Sequence, residues 1–309
     1  MRFIAALLTI CTLILLPVEA SFTSVFQQNQ SYAGQRSAPI PQAARRVRRA
    51  HSSGLNPARP LPVPTKAAPR PNCAAVCVID PYNGHILYGY NASQRRQVAS
   101  TQKIITALCV CDAGNLDKKV TIQSSDRKVQ PIRLNLPAND QYTRRELLQA
   151  MLTGSFNDVA VSLARDCGGT VENFVATMNA RARRMGMQNT HFANPNGLPA
   201  EQYSTAYDMA LAACYAYNNR VIRSMINIPS YTFRFNNGRT RNINSTNRLL
   251  RSHPWVQGMK TGYTNLAGKC LISCAASNGR AVIVVVLGST NRNIWGESLK
   301  YLRWALDGV

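Results

Sequence analysis

The 309 residues are 45% hydrophobic and 16% charged, enough apolar side chain to bury a sizeable core, which excludes a wholly disordered chain. Lys and Arg number 36 against 14 Asp and Glu, a net charge of +22. That excess predicts an anionic partner. Without an aromatic-interleaved basic motif to suggest nucleic acid, a wall polymer or lipid headgroup is expected.

Met1-Arg2, the apolar run from Phe3 to Pro17 and the small-residue end Val18-Glu19-Ala20 read as a secretory signal over residues 1–20, cut after Ala20. The alternative is an uncleaved anchor, for which the run is short. Either way the rest of the chain is expected outside the cytoplasm, in the periplasm or the wall space. Residues 21–72 are rich in Ser, Gln, Pro and Arg, with Arg45-Arg46-Val47-Arg48-Arg49 and five prolines between 60 and 71, and read as a disordered cationic linker. Residues 1–72 hold nine Lys/Arg and one acid, and the remainder 27 against 13, so the positive charge is not confined to one tail.

A folded part is expected over 73–309. Cys73 to Asp80 and Ile86-Leu87-Tyr88 flank Asn83-Gly84 as a β-hairpin, and an apolar helix then runs from about Ser100 to a stop at Gly114. Thr143-Arg144-Arg145-Glu146 is a capping box ahead of Leu147, Leu148, Met151 and Leu152 at helical spacing. Helices follow at about 157–166, 171–185 and 205–217. Strands return at 231–235, 239–243, 257–264, 269–276 and 280–287, and a last helix spans about 296–306. Strands at both ends with helices between them predict an α/β (α+β) fold, with an all-helical subdomain over about 115–230.

Outside the signal there are eight cysteines: Cys73, Cys77, Cys109, Cys111, Cys167, Cys214, Cys270 and Cys274. An exported chain permits disulfides, but spacing does not give their connectivity, and core packing as small apolar groups is an equal alternative. Cys73/Cys77 and Cys270/Cys274 each sit four apart in strand-like runs, so each pair is expected on one face.

The chemistry centres on Ser100-Thr101-Gln102-Lys103. At i and i+3 of a first helical turn the Lys103 amine reaches the Ser100 hydroxyl, and an amine kept neutral by burial or by a second cation can take the serine's proton. S-x-x-K alone is common as a capped helix start. Ser155-Phe156-Asn157 and Lys260-Thr261-Gly262 follow it in order, and that trio marks class A β-lactamases and penicillin-binding proteins. Ser100 is then expected as nucleophile, Lys103 as base, Ser155 as proton relay, and Asn157 as the group orienting Lys103 or the substrate amide. Lys260 would be a fixed positive charge. Thr261 is expected to face a terminal carboxylate, while Gly262 leaves room for the peptide. The backbone N–H groups of Ser100 and Tyr263 would form an oxyanion hole. His51, His85, His191 and His253 lack a G-x-S-x-G elbow or metal-ligand spacing, so no metal or cofactor is expected.

The region from about Cys73 to Val309 resembles the D-alanyl-D-alanine carboxypeptidase family of low-molecular-mass penicillin-binding proteins, peptidase family S11. Beyond the trio, the matching stretches include Arg95 to Ser100, Phe192-Ala193-Asn194-Pro195-Asn196-Gly197-Leu198-Pro199, Ser204 to Ala210, Ser245-Thr246-Asn247-Arg248-Leu249-Leu250, and Gly258 to Thr264. The resemblance implies the transpeptidase/β-lactamase-like fold, an antiparallel sheet flanked by helices. It also implies an acyl-enzyme peptidase that removes the terminal D-alanine of peptidoglycan stems and is trapped by β-lactam antibiotics. Gln257 stands where the family usually has an acid. An arginine facing the substrate carboxylate is common in the family after the strand at Val284–Gly288, and Arg292 is the nearest here. Many relatives continue into a small β-rich domain and an amphipathic helix, which this chain is expected to lack. A DD-endopeptidase that cuts cross-links would use the same machinery. A β-lactamase needs a glutamate in an E-x-x-L-N pattern, which neither Glu172 nor Glu201 provides. A wall-binding module without activity is the remaining alternative.

Overall fold

The computed structural model describes residues 61–307; the signal over 1–20 and most of the expected linker lie outside the described residues. β1 (Ala75–Ile79) and β2 (Ile86–Tyr90) form the expected hairpin. A 3₁₀ turn at Ala99–Gln102 feeds α1 (Lys103–Asp112), and Gly114 follows its end with φ of 66°. Residues 103–110 of α1 are all buried, so this helix is enclosed on every side rather than lying on the surface. β3 (Lys119–Thr121) and β4 (Gln141–Thr143) pair antiparallel. α2 (Arg144–Gly154) starts at the Thr143/Glu146 capping box and stops at Ser155, whose left-handed backbone (φ 65°) turns the chain into α3 (Asn157–Gly168).

α4 (Val171–Arg184), α5 (Ala206–Asn218) and α6 (Arg220–Ile226) complete the middle of the chain. β5 (Ser230–Arg234) and β6 (Thr240–Asn244) make a separate hairpin, followed by the short α7 (Leu249–Ser252). β7 (Val256–Thr264), β8 (Gly268–Ser277) and β9 (Arg280–Ser289) then join β1 and β2 in one antiparallel sheet, ordered β2-β1-β9-β8-β7, and α8 (Ile294–Asp307) closes the described chain.

Side chains alternate across this sheet. Ala75, Cys77, Ile79, Ile272, Cys274, Ile283 and Val285 face the core shared with α1, α5 and the helical layer. Val76, Val78, Leu271, Ala275, Val282, Val284 and Val286 face a second, smaller core under α8. β7 is an edge strand, and it passes beside the 3₁₀ turn that carries Ser100.

Three expectations need correction. Residues 61–72 do not behave as linker. Leu61 is buried and its N–H donates to the Asp80 carboxylate, Tyr301 and Trp304 donate to the carbonyls of Pro69 and Lys66, and the Asn72 N–H donates to Glu297. Glu297, Tyr301 and Trp304 of α8, with Asp80 at the end of β1, supply these donors and acceptors, which a composition-based reading of a Pro-rich segment does not register.

The 115–230 region is not all-helical either. It contains the β3–β4 pair, whose three-residue strands are too short to show periodicity, and its α5 packs directly on β1 and β9. Finally, of the two alternatives left open for the cysteines, the structure has free thiols at all eight described ones, and the expected sharing of a face holds for one pair only. Cys77, Cys270 and Cys274 serve as small core groups and burial pushes their thiols up to about 12, 11 and 12 respectively. Cys270 and Cys274 share a face, but Cys73 precedes β1 and packs in the smaller core, away from Cys77.

Candidate active site

Ser100 lies in the 3₁₀ turn, not in the α-helix proper, and Lys103 is the first α-helical residue. The tighter turn brings side chains at i and i+3 nearly into register. Lys103 Nζ is 2.8 Å from Ser100 Oγ, 2.7 Å from Asn157 Oδ1 and 2.6 Å from the Asn196 carbonyl oxygen. The Asn157 amide is oriented because its Nδ2 donates to the Pro131 carbonyl at 2.6 Å, which leaves Oδ1 for the lysine.

Protonation decides what this cluster can do. Lys103 is completely buried, and its pKa is held well below the ordinary lysine value first by burial and then by the charge of Lys260, against a smaller opposing pull from Asp158. A neutral amine has two N–H groups and one lone pair. The Asn157 Oδ1 and the Asn196 carbonyl accept hydrogen bonds only, so they take both N–H groups. The lone pair is thereby left facing the Ser100 hydroxyl, the arrangement a general base requires.

The loop carrying Asn196 is locked to α1 and to the 3₁₀ turn before it by two further bonds, from Thr106 Oγ1 to the Pro195 carbonyl at 2.6 Å and from Gln102 Nε2 to the Asn194 carbonyl at 2.6 Å. Gly197 makes the approach feasible: its φ is 86°, and a Cβ there would stand 2.2 Å from the Ala99 carbonyl oxygen. Asn196 was not among the expected site residues. It contributes a backbone carbonyl, which a reading of side-chain chemistry cannot find; its traces in the sequence are the turn signal Pro195-Asn196-Gly197 and its place in a stretch that carries the family resemblance.

The second lysine sits across the groove. Lys260 Nζ donates to Ser155 Oγ at 2.7 Å and to the Thr261 carbonyl at 2.9 Å. Among the described residues no carboxylate compensates it, and burial brings Lys260 down to about 7. Thr261 Oγ1 donates to Thr246 Oγ1 at 2.6 Å. A Cβ on Gly262 would stand 2.9 Å from the Ser100 nitrogen and 3.0 Å from that of Thr101, so only glycine lets β7 run past the nucleophile. Tyr263 is exposed at the outer end of the strand.

Arg292 is exposed in the turn after β9 and does not line the pocket along β7. The arginine that does is Arg248, on the turn ahead of α7. Gln257, the other departure, accepts a hydrogen bond from the Tyr217 hydroxyl at 3.1 Å. Among the described residues no group of three or more His, Cys, Asp or Glu is placed to hold a metal ion.

A serine hydroxyl facing a buried lysine whose pKa burial holds down, with a second lysine and an edge strand beside it, defines the class of serine acyl-transfer enzymes that use lysine in place of histidine. The family model of D-alanyl-D-alanine carboxypeptidase matches residues 63–291, and this chain belongs to that family. It is 34% identical over 237 residues to a D-alanyl-D-alanine carboxypeptidase of Bacillus subtilis, an alignment covering 74% of this chain and 61% of the relative. It is 31% identical over 235 residues to a D-alanyl-D-alanine endopeptidase of Escherichia coli, covering 72% of this chain and 73% of the relative. A crystal structure of a D-alanyl-D-alanine carboxypeptidase from Mycobacterium tuberculosis superposes with a TM-score of 0.75 at 29% identity, covering 79% of this chain and 95% of that one.

Proposed function

We propose that this chain is a serine-type D-Ala-D-Ala carboxypeptidase that removes the terminal D-alanine of peptidoglycan stem peptides through an acyl-enzyme on Ser100. The observation that carries this reading is the completely buried Lys103 amine, 2.8 Å from Ser100 Oγ with the acceptors Asn157 Oδ1 and the Asn196 carbonyl on its other sides. Lys103 takes the hydroxyl proton as Ser100 attacks the penultimate D-alanine carbonyl. The Ser155–Lys260 pair delivers a proton to the departing amine, and the N–H groups of Ser100 and Tyr263 hold the oxyanion. Thr261 and Gly262 seat the substrate along β7. Water then hydrolyses the ester, and β-lactams acylate Ser100 as substrate mimics.

The acids between Ser155 and Lys260, from which a β-lactamase-type deacylating acid would come, are engaged elsewhere or exposed. Asp158 is occupied by the N–H groups of Leu134 and Asn135, Asp166 by Arg144 and Lys118, and Asp208 by Asn189 and Thr190, while Glu172 and Glu201 are exposed. The Escherichia coli relative's name favours a second reading, cleavage of cross-links between stems. Digestion of purified muropeptides separates the two. Conversion of pentapeptide monomers to tetrapeptides with release of free D-alanine is expected. Conversion of cross-linked dimers to monomers without it would instead establish the endopeptidase.

The chain so read is exported through residues 1–20 and carries a cationic arm over residues 21–60, with six arginines and no acid, ahead of the segment clamped to α8. Among the described residues no helix is long and apolar enough to cross a membrane. Six arginines near an anionic surface contribute on the order of 1 kcal/mol each. The mature protein is therefore expected to sediment with vesicles containing anionic lipid at low salt, and a variant lacking residues 21–60 is not. Equal sedimentation of the two would discard the arm as a surface tether.

A further inference from the structure

A cavity of about 210 Å³, open to solvent on one side, lies along β7 and has room for one short amino-acid residue. Its polar lining is one-sided in charge. Arg248 and Lys269 both line it, and no Asp or Glu does. The Arg248 guanidinium lies over the Trp295 ring at 5.8 Å, and Lys269 Nζ lies over the Tyr263 ring at 4.1 Å, so aromatic faces support both cations at the mouth. Between them the Thr246 and Thr261 hydroxyls stand 2.6 Å apart. One proton is used between the two oxygens, and the other is free for a ligand. Gly262 joins the cavity to the reaction centre, since it lines the one and packs on the Ser100 nitrogen in the other. A substrate whose last residue sits in this cavity and whose chain runs along β7 therefore passes the strand's contact with the Ser100 turn.

We infer that Arg248, supported by Lys269, reads the free carboxylate of the residue released from the substrate, the part that the family resemblance assigns to Arg292. The inference rests on the reading of Ser100 as the acylated serine. A guanidinium matches a carboxylate with two parallel N–H donors, and the Trp295 ring lies within cation–π reach of this one. The second cation and the spare hydroxyl proton surround the same anion. Arg292 sits outside this lining, so the specificity determinant has moved from the turn after β9 to the turn before α7.

The test compares an N-acylated peptide ending in D-Ala-D-Ala as the free acid with the same peptide as its C-terminal amide. Arg248→Gln is expected to lower kcat/KM for the acid by about 10- to 100-fold, the worth of a charge-assisted hydrogen bond, while changing the amide by less than about 3-fold. Arg248→Lys is expected to recover part of the loss, and Arg292→Gln to leave both substrates at wild-type rates. An equal loss on acid and amide would mean that Arg248 only supports the fold, and an unchanged preference would remove it from recognition; either overturns the inference. Failure of the wild type to turn over either peptide would instead sink the reading of Ser100, and the inference with it.

Discussion

Ser100→Ala is expected to lower D-alanine release from a D-Ala-D-Ala peptide by at least ~10⁴-fold, the scale on which removal of the nucleophile from a serine peptidase is felt. The size of the effect follows from how the neighbours are committed. With the hydroxyl gone, the Lys103 lone pair has no proton to take, and no other hydroxyl bonds to Lys103 Nζ. Lys103→Met is expected to lose a comparable amount, because the two side chains act as one unit and their losses do not add. Stability provides the control. Ser100 is half-buried and its hydroxyl makes no bond on which the fold depends, so Ser100→Ala should melt close to wild type, and loss of activity with an unchanged melting temperature assigns the loss to chemistry. Release of D-alanine at more than a hundredth of the wild-type rate by Ser100→Ala would remove Ser100 from the mechanism.

Lys260→Met is expected to abolish turnover and, at the same time, to raise the melting temperature at pH 7 by about 5 °C. The buried ammonium has no carboxylate partner, and burial holds it at about 7 instead of the ordinary 10.5. Between those two values the folded chain binds fewer protons at this site than the unfolded chain does, so stability rises with pH across the window. Below about 7 both states are protonated, the slope vanishes and the full cost of burying the charge remains. At ~1.4 kcal/mol per tenfold change in proton affinity, that cost is on the order of 4 kcal/mol. Replacing the ammonium by a thioether removes it, and the unpaired Ser155 hydroxyl and Thr261 carbonyl return ~1–3 kcal/mol of it. The remainder converts at ~2–4 °C per kcal/mol for a domain of this size. The pH dependence of melting above pH 7 should flatten by about one proton in the variant, with the slope from Lys103 retained. In the wild type, kcat/KM should fall as pH rises through about 7, as Lys260 loses the proton it supplies. A Lys260→Met protein that melts below wild type at pH 7 would show that the lysine supports the fold.

The parts of the fold that local chemistry dictates could be read from the chain. Thr143 and Glu146 cap α2 reciprocally as their spacing requires, and Asn278-Gly279 turns β8 into β9. The same holds for the meeting of Ser100 with Lys103, since i and i+3 suffice to bring them together. Contacts set by tertiary placement were less accessible. Asn157 could be assigned to either lysine or substrate, and only the fold shows its Oδ1 on Lys103. Whether Lys260 is a permanent cation depends on its complete burial without an acid, which a strand of alternating residues does not reveal. Arg248 lacks a chemical signature of its own and acquires one from Trp295 and Thr261, which lie 47 and 13 residues away. Residues 61–72 have the composition of a linker and are held by partners more than 200 residues distant.

The most direct measurement is the intact mass of the mature protein after incubation with benzylpenicillin, made on wild type and on Ser100→Ala in parallel. One covalent equivalent on the wild type and none on Ser100→Ala is the predicted result, because the hydroxyl facing the Lys103 lone pair is the acylated group. An equal adduct on both proteins, or none on a wild type that still releases D-alanine, would contradict it.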